Sequence, residues 1–168
     1  MEIKPWVFLD KPFDIVPEGY YSFVYLIVNR VTNNRYIGKK LFWFKSKKKV
    51  LLKNGKKKSK RCLVESDWKD YFGSSDQFNK DLEQYGKENF DRIILHVCSS
   101  KAEASYLEAH EQFHHNVLLT DDYSNGWIMV RVRKEHLKKH REGLLKSITL
   151  AKSRWQIVLE LFDYTMIE

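Results

Sequence analysis

Residues 22–38, with the sequence SFVYLIVNRVTNNRYIG, decide the fold of this chain. Two runs of β-branched and aromatic residues flank Asn33 and Asn34, whose side chains tolerate the left-handed backbone of tight turns. The stretch therefore predicts a β-hairpin with strands over 22–29 and 35–38. A hairpin that opens with so apolar a strand needs further elements on both of its faces.

Capping residues downstream mark the elements that would pack on this hairpin. Ser75 or Asp76 begins a predicted helix that Gly86 ends. Residues 92–97 predict a third strand, and a capping box predicts a second helix over 100–117. We therefore expect an α/β fold of the α+β kind, in which helices flank a small, mainly antiparallel sheet of three strands.

Residues 128–168 predict a basic helical extension that follows a first domain of residues 1–127. A strand-like run at 127–132 precedes two predicted helices, 134–146 and 151–162. The apolar positions expected to form the buried stripe of the extension are Leu150, Trp155, Val158, Leu159 and Phe162. We expect the extension to strengthen binding to a partner molecule or to form a homodimer.

The composition excludes several classes of protein. The chain has 168 residues, 43% of them apolar, so a compact core is expected and intrinsic disorder is not. Two cysteines, Cys62 and Cys98, provide neither a disulfide scaffold nor a zinc-ribbon framework. Because no apolar stretch is long enough to cross a bilayer, we expect a soluble, cytoplasmic protein without a membrane partner.

Positive charge is concentrated in two segments of the chain. The formal net charge is +8, but residues 39–61 alone carry +12, residues 131–154 carry +7 and the remainder carries −11. Basic patches on an acidic body favour a polyanion such as DNA. The segment 39–61 is expected to be a basic loop, within which the predicted nucleic-acid-binding residues are Lys39, Lys45, Lys47, Lys48, Lys49, Lys56, Lys57, Lys58 and Lys60.

The hairpin also carries two tyrosines eleven positions apart, in Phe23-Val24-Tyr25 and in Tyr36-Ile37-Gly38. Together with the order of elements downstream, these triplets resemble the GIY-YIG nuclease family over roughly residues 21–127. The first triplet departs from the family's wording and the second matches it in full. The segments YIGKK and WKDYFGSS are similar to those of small phage-encoded members.

The resemblance implies a metal-dependent DNA endonuclease, with Mg²⁺ or Mn²⁺ as cofactor. Tyr25 and Tyr36 would handle the attacking water, and the nearby lysines are expected to acidify one of the two phenols. The metal ligand would be Glu108 or Glu111, which lie on one face of the predicted helix. Asn125 would close the site.

One family feature, an arginine that follows the second triplet, is absent from the expected position. Lys40, or Arg61 returning from the basic loop, is the candidate to replace it. Tyr71 is the candidate residue near the leaving group. These departures keep a second hypothesis open, in which the chain binds nucleic acid on the nuclease fold without cleaving it.

A third hypothesis comes from His110-Glu111-Gln-Phe-His114, a literal HExxH pattern on a predicted helix. That pattern places two imidazoles one helical turn apart for zinc, with a glutamate as base. A zinc metallopeptidase therefore ranks below the other two hypotheses, because it gives no role to the hairpin or to the lysine-rich segment.

Overall fold

A computed structural model of the chain describes residues 3–51 and 56–161, and it contains a five-stranded sheet. Its strands are β1 (Trp6–Phe8), β2 (Lys11–Phe13), β3 (Ser22–Asn29), β4 (Arg35–Leu41) and β7 (Phe90–Cys98). The order across the sheet is β2-β1-β7-β3-β4, and only the β1–β7 pair is parallel. The mainly antiparallel sheet is confirmed, and the expected number of strands is wrong.

The two additional strands are short and come from the N-terminal arm. β1 and β2 contain three residues each, too few for an alternating pattern to stand out in the sequence. The left-handed residues Leu9 and Asp10 turn the chain between them. The predicted hairpin is confirmed as β3 and β4, in which Tyr25 lies opposite Gly38 and the left-handed residue is Asn33.

In the part of the chain that the structure describes, four α-helices accompany the sheet: α1 (Asp76–Tyr85), α2 (Lys101–His114), α3 (Lys134–Leu137) and α4 (Arg141–Leu161). The predicted caps are confirmed, because the Ser75 and Ser100 hydroxyls each accept a hydrogen bond from the backbone amide three residues later in the chain. Glu103 completes the cap of α2 by accepting from the amide of Ser99, one residue earlier than the capping-box pattern predicts. Within the described residues, no helix is both long and apolar enough to cross a membrane.

The C-terminal region differs from the sequence expectation. Residues 127–132 form no strand, and the two predicted helices are instead a short α3, a 3₁₀ turn and one long α4. In the predicted stripe, Trp155 is buried but Leu150 is 42% exposed. The side chains of Val158, Leu159 and Phe162 lie outside the described residues.

The sheet carries a different core on each face. One core is aromatic and includes Trp6, Phe23, Phe42, Trp68 and Phe78, with the Phe23 and Phe42 rings stacked at 4.6 Å between centroids. The other core is mainly aliphatic and lies between the sheet, α2 and α4. Its buried members are Val24, Leu26, Val28, Ile37, Ile93, Leu95, Cys98, Ala104, Leu107, Val117, Leu144 and Trp155.

A β-bulge in β7 changes which face of the sheet the side chains after Ile94 occupy. Tyr25 pairs with Ile94 and Val24 pairs with His96, so Leu95 is an additional residue on β7. Because side chains alternate between the faces of a strand, the extra residue turns His96 toward α2 and α4. Its ring is fully buried and contacts Ser147 of α4 at 2.8 Å.

The segment expected to be a basic loop is an antiparallel ribbon. Its strands are β5 (Trp43–Leu51) and β6 (Lys57–Glu65), which form a sheet of their own. Within these strands every residue is exposed except Trp43 and Cys62, which are half-buried. The turn predicted at Asn54-Gly55 lies outside the described residues.

Arg92 fastens the N-terminal arm to the segment that precedes α1. Its guanidinium is buried and donates hydrogen bonds to the carbonyls of Lys4, Lys69 (2.6 Å) and Tyr71 (3.2 Å). Burial lowers the pKa of Arg92 to about 10, so the side chain keeps its charge at neutral pH. Together with the hydrogen bond from Trp6 Nε1 to the Trp68 carbonyl at 2.7 Å, this side chain holds the two segments together.

We expect Arg92→Lys to lower the free energy of unfolding by about 2–4 kcal/mol, because one ammonium cannot reach carbonyls on both segments and leaves buried acceptors unpaired. Urea unfolding measures the loss. Arg30→Lys is the matched control, since Arg30 is an exposed residue whose only described ion pair is with Asp91 at 3.5 Å. Equal effects of the two substitutions would contradict the clamp role of Arg92.

Candidate active site

An open pocket lies along β4, the edge strand of the five-stranded sheet. It is bordered by β4 itself, the N-terminus of α1, the outer side of α2 and the segment after Asp122. The lining residues are Tyr36, Lys39, Ser74, Ser75, Asp76, Gln77, Glu108, Gln112, Ser124, Asn125, Gly126, Trp127 and Met129. Three of the sequence-predicted catalytic residues, Tyr36, Glu108 and Asn125, thus border one cavity.

Three tyrosines form a cluster at the floor of this pocket. The ring centroids of Tyr25 and Tyr36 are 6.2 Å apart, and Tyr71 packs edge-on against Tyr25 at 6.0 Å. The Tyr25 and Tyr71 hydroxyls are hydrogen bonded, and Tyr36 is hydrogen bonded to Ser74. Tyr25 is almost fully buried, so Tyr36 is the phenol that faces the cavity.

Two glycines make room for these rings. A Cβ atom at position 38 would lie 2.5 Å from the Tyr25 hydroxyl oxygen, which no real contact allows. Gly73 also approaches the Tyr36 ring, where a Cβ atom would lie 3.3 Å from Cε1, and it has a φ of +101°, a conformation that favours glycine. Glycine at position 38 therefore provides space, because only a hydrogen atom fits between the Tyr25 phenol and the backbone.

The tyrosine pKa values differ from the sequence expectation. Burial raises the pKa of Tyr25 well above its ordinary value, and it also raises the pKa of Tyr36 despite the hydrogen bond with Ser74. The expectation that nearby lysines acidify one of the two phenols is wrong for the protein alone, because loss of solvent on burial is the largest influence on the pKa of both hydroxyls. Both hydroxyls are protonated at neutral pH.

Glu108 places a carboxylate at the pocket wall opposite Tyr36. Its side chain is largely buried and forms an ion pair with Lys39 of β4. Burial raises the pKa of Glu108, and the Lys39 ammonium opposes this shift. The Glu108 carboxylate therefore already has an oppositely charged partner, Lys39, inside the pocket.

Asn125 holds the far wall against the edge of β4. Its side-chain amide donates to the Ile37 carbonyl at 2.7 Å, and its Oδ1 accepts from the Ile37 amide at 3.0 Å. The Asn125 side chain thus pairs with the Ile37 backbone as a neighbouring strand would. It can do so because an amide side chain carries both a donor and an acceptor. Gln112 of α2 donates to the same carbonyl at 3.1 Å.

The fold agrees with a comparison against known protein families. The family model described as "Putative endonuclease segE, GIY-YIG domain" matches residues 6–128. The chain belongs to the GIY-YIG endonuclease family. The comparisons with curated proteins and with solved structures give no significant match.

The two candidates for the GIY-YIG arginine lie in different places. Lys40 is on β4, where its ammonium sits 3.7 Å above the Tyr71 ring and binds Asp67 at 2.7 Å. Arg61 lies on the exposed ribbon opposite Lys47, outside the residues that line the pocket. Neither candidate lines the pocket; Lys40 contacts the tyrosine cluster through Tyr71, and its neighbour Lys39 does line the pocket.

Glu111, the other candidate metal ligand, points into the protein. Its oxygens contact His96 Nε2 at 2.7 Å and Trp155 Nε1 at 2.9 Å, and His115 approaches to 3.7 Å. Burial alone would raise the pKa of Glu111, but the contacts with His115, His96 and Trp155 hold it well below its ordinary value. This carboxylate joins β7, α2 and α4, and it does not line the pocket.

The HExxH pattern does not assemble a zinc site. Its glutamate, Glu111, is held in the buried network, and the rings of His110 and His114 stack with centroids 6.0 Å apart. Among residues 3–51 and 56–161, no cluster of three or more His, Cys, Asp or Glu side chains could hold a metal ion. The geometry gives the metallopeptidase hypothesis no support.

Sequence reasoning missed several residues of the GIY-YIG pocket. Ser74 and Gly73 sit in the quoted WKDYFGSS segment, but nothing in their types alone shows that they meet the Tyr36 ring. Trp127 and Met129 are 64% and 66% exposed at the pocket mouth. An isolated aromatic residue in a region predicted as a strand gives no indication of a site, so only the structure reveals its position at the mouth.

The close approach at Gly38 gives a direct test of the tyrosine cluster. Gly38→Ala should lower the free energy of unfolding by about 2 kcal/mol or more, because the methyl group displaces the Tyr25 ring. Thermal or urea unfolding measures this. Gly143→Ala on α4 is the control, since open space surrounds it and alanine favours a helix by about 0.5–1 kcal/mol. A mild effect at position 38 would contradict the close packing.

The depressed pKa of Glu111 predicts a pH-dependent contribution to stability. Its carboxylate stabilises the fold above the ordinary glutamate pKa of about 4.3, and the contribution is lost as the pH falls below that value. Glu111→Gln should therefore destabilise the protein by about 2–4 kcal/mol at pH 7, and by progressively less toward pH 3.5. Urea unfolding across this pH range, with the exposed Glu83→Gln as control, tests it. A pH-independent difference would contradict the charged network.

Proposed function

We propose that the protein is a metal-dependent endonuclease that hydrolyses DNA phosphodiester bonds in the β4 pocket. The observation that carries this proposal is the meeting of Tyr36, Glu108 and Lys39 in one open cavity of a GIY-YIG domain. A phosphodiester needs a positioned water, positive charge for the developing phosphorane and access from solvent. The cavity offers groups for each of these needs.

The donor set fits Mg²⁺ or Mn²⁺ better than zinc. Mg²⁺ is commonly held by one or two carboxylates, with waters and substrate phosphate oxygens completing its shell, whereas zinc needs three or four protein ligands. Glu108 is one of two carboxylates that line the pocket, the other being Asp76, and it already contacts a cation, the Lys39 ammonium. We assign Glu108 to hold the metal. When bound, a divalent cation supplies neutralising charge to phosphate oxygens.

The remaining residues act on water and phosphate through hydrogen bonds and charge. Tyr36, oriented by Ser74, presents a protonated hydroxyl that positions the attacking water. Tyr25 and Tyr71 support it from below as a hydrogen-bonded pair. Lys40, above the Tyr71 ring, adds positive charge on the side of the cluster that faces the ribbon.

A plasmid cleavage assay tests the proposal. With Mg²⁺ or Mn²⁺ we expect nicked or linear product, and with EDTA none. Tyr36→Phe and Glu108→Gln should each reduce the rate by at least about a hundredfold, because one removes the water-positioning hydroxyl and the other the metal ligand.

Two variants with the same chemical changes control for general effects. Tyr106→Phe alters a tyrosine on α2, and Glu83→Gln alters an exposed carboxylate on α1, and neither residue lines the β4 pocket. Both should cleave like wild type. Salt-sensitive DNA binding without metal-dependent cleavage would instead identify the non-catalytic binding protein.

A further inference from the structure

We propose that the ribbon formed by β5 and β6 inserts into the major groove of B-form DNA beside the active site; this rests on the proposed function for its choice of substrate. The ribbon is exposed along both strands. Nine residues in a strand span about 30 Å. The major groove of B-DNA is about 12 Å wide and admits a two-stranded ribbon, whereas the minor groove, about 6 Å wide, does not.

The charge on the ribbon points to phosphate on both of its sides. Residues that pair across the two strands share a face, so Lys47 and Arg61 lie together on one face and Lys48 and Lys60 on the other. Glu65 is the only acid in either strand. To bind a flat anionic surface, the ribbon would need only one basic face. Two basic faces fit a groove with a phosphate backbone along each wall.

The same pairs destabilise the ribbon when no partner is present. Like charges placed directly opposite in an antiparallel pair repel each other, and an isolated two-stranded ribbon is only marginally stable in water. Lys47 with Arg61 and Lys48 with Lys60 are adjacent rungs of such a ladder. A polyanion that separates these charges from one another would stabilise the ribbon as it binds.

The base of the ribbon is anchored next to the catalytic strand. Only Phe42 separates β4 from β5, and it is fully buried with its amide bonded to the Tyr21 carbonyl at 3.0 Å. Ser66, just after β6, donates from its hydroxyl to the Leu41 carbonyl at 2.6 Å. Lys39 and Lys40 lie at this end of β4, so a groove that holds the ribbon brings a phosphate backbone toward the pocket.

The shape argument separates DNA from RNA. The major groove of A-form RNA is deep and too narrow for side chains to read. A ribbon that works through the major groove therefore favours DNA duplexes over RNA duplexes of the same sequence. A ribbon that binds phosphate only from outside would bind both.

Binding measured without cleavage tests the inference. Glu108→Gln protein in EDTA is titrated with a labelled 30-base-pair DNA duplex, alone and with Lys47→Gln plus Arg61→Gln. We expect at least about tenfold weaker binding at about 150 mM salt, and a salt dependence reduced by about two charges. Lys48→Gln plus Lys60→Gln should act similarly from the other face.

The charge-matched control is Lys11→Gln plus Lys87→Gln, two exposed lysines outside the ribbon, which should change affinity less than twofold. Equal losses in the ribbon and control variants would overturn the inference. Circular dichroism and urea unfolding of each variant verify that the body of the protein is folded.

Groove blocking identifies the mode of binding. Bulky groups on cytosine C5 project into the major groove, and they should weaken binding of the protein with an intact ribbon but add little to the loss in a ribbon variant. Netropsin, which fills the minor groove, should leave affinity unchanged. Competition by netropsin, or equal affinity for an RNA duplex, would overturn the inference. Because no cleavage is measured, a failure of the proposed nuclease activity would be seen separately in the plasmid assay.

Discussion

The Tyr25 hydroxyl occupies the space that any side chain at position 38 would need, and this one close approach organises the site. It fixes β3 against β4, because Tyr25 and Gly38 are direct partners in the hairpin. It also brings the Gly73 backbone over the Tyr36 ring, which orders the segment before α1. The packing of two phenols against two glycines therefore fixes the positions of the pocket floor, the edge strand and the start of α1.

The other face of the sheet depends on the bulge at Leu95. Without the additional residue, His96 would point into the aromatic core, and Glu111 would be a buried carboxylate without this partner. With it, Glu111 bonds to His96 and Trp155, and α2 is held between β7 and α4. Glu108, one turn earlier on α2, then reaches the edge of β4.

Local chemistry made much of this fold predictable from the sequence. The hairpin, the caps at Ser75 and Ser100 and the turn at Gly86 each depend on neighbours within a few residues. The N-terminal strands β1 and β2 were not predictable in this way, because three-residue strands gain their stability from pairing with a strand far along the chain. The sequence predicts a loop where the ribbon lies, because lysines occupy consecutive positions. The alternation of apolar and polar residues that indicates a strand is therefore absent.

The candidate site was only partly predictable, for a similar reason. Spacing places Glu108 and Glu111 on one side of a helix, but it cannot show that one meets Lys39 at the sheet edge and the other meets His96 in the interior. The pKa values of the Tyr25 and Tyr36 phenols depend mainly on burial, and the number of lysines nearby in the sequence gives no measure of burial.

The choice of a lysine instead of an arginine beside Glu108 has a physical consequence. A guanidinium would hold this carboxylate with two parallel hydrogen bonds, whereas the Lys39 ammonium is a single point charge on a flexible stem. Less interaction energy is lost when such a pair separates. Burial raises the pKa of Glu108, and the adjacent ammonium opposes this shift and so favours the ionised carboxylate. Lysine at position 39 therefore stabilises the charged form in the free protein through a contact that is easier to break than a bidentate pair with arginine.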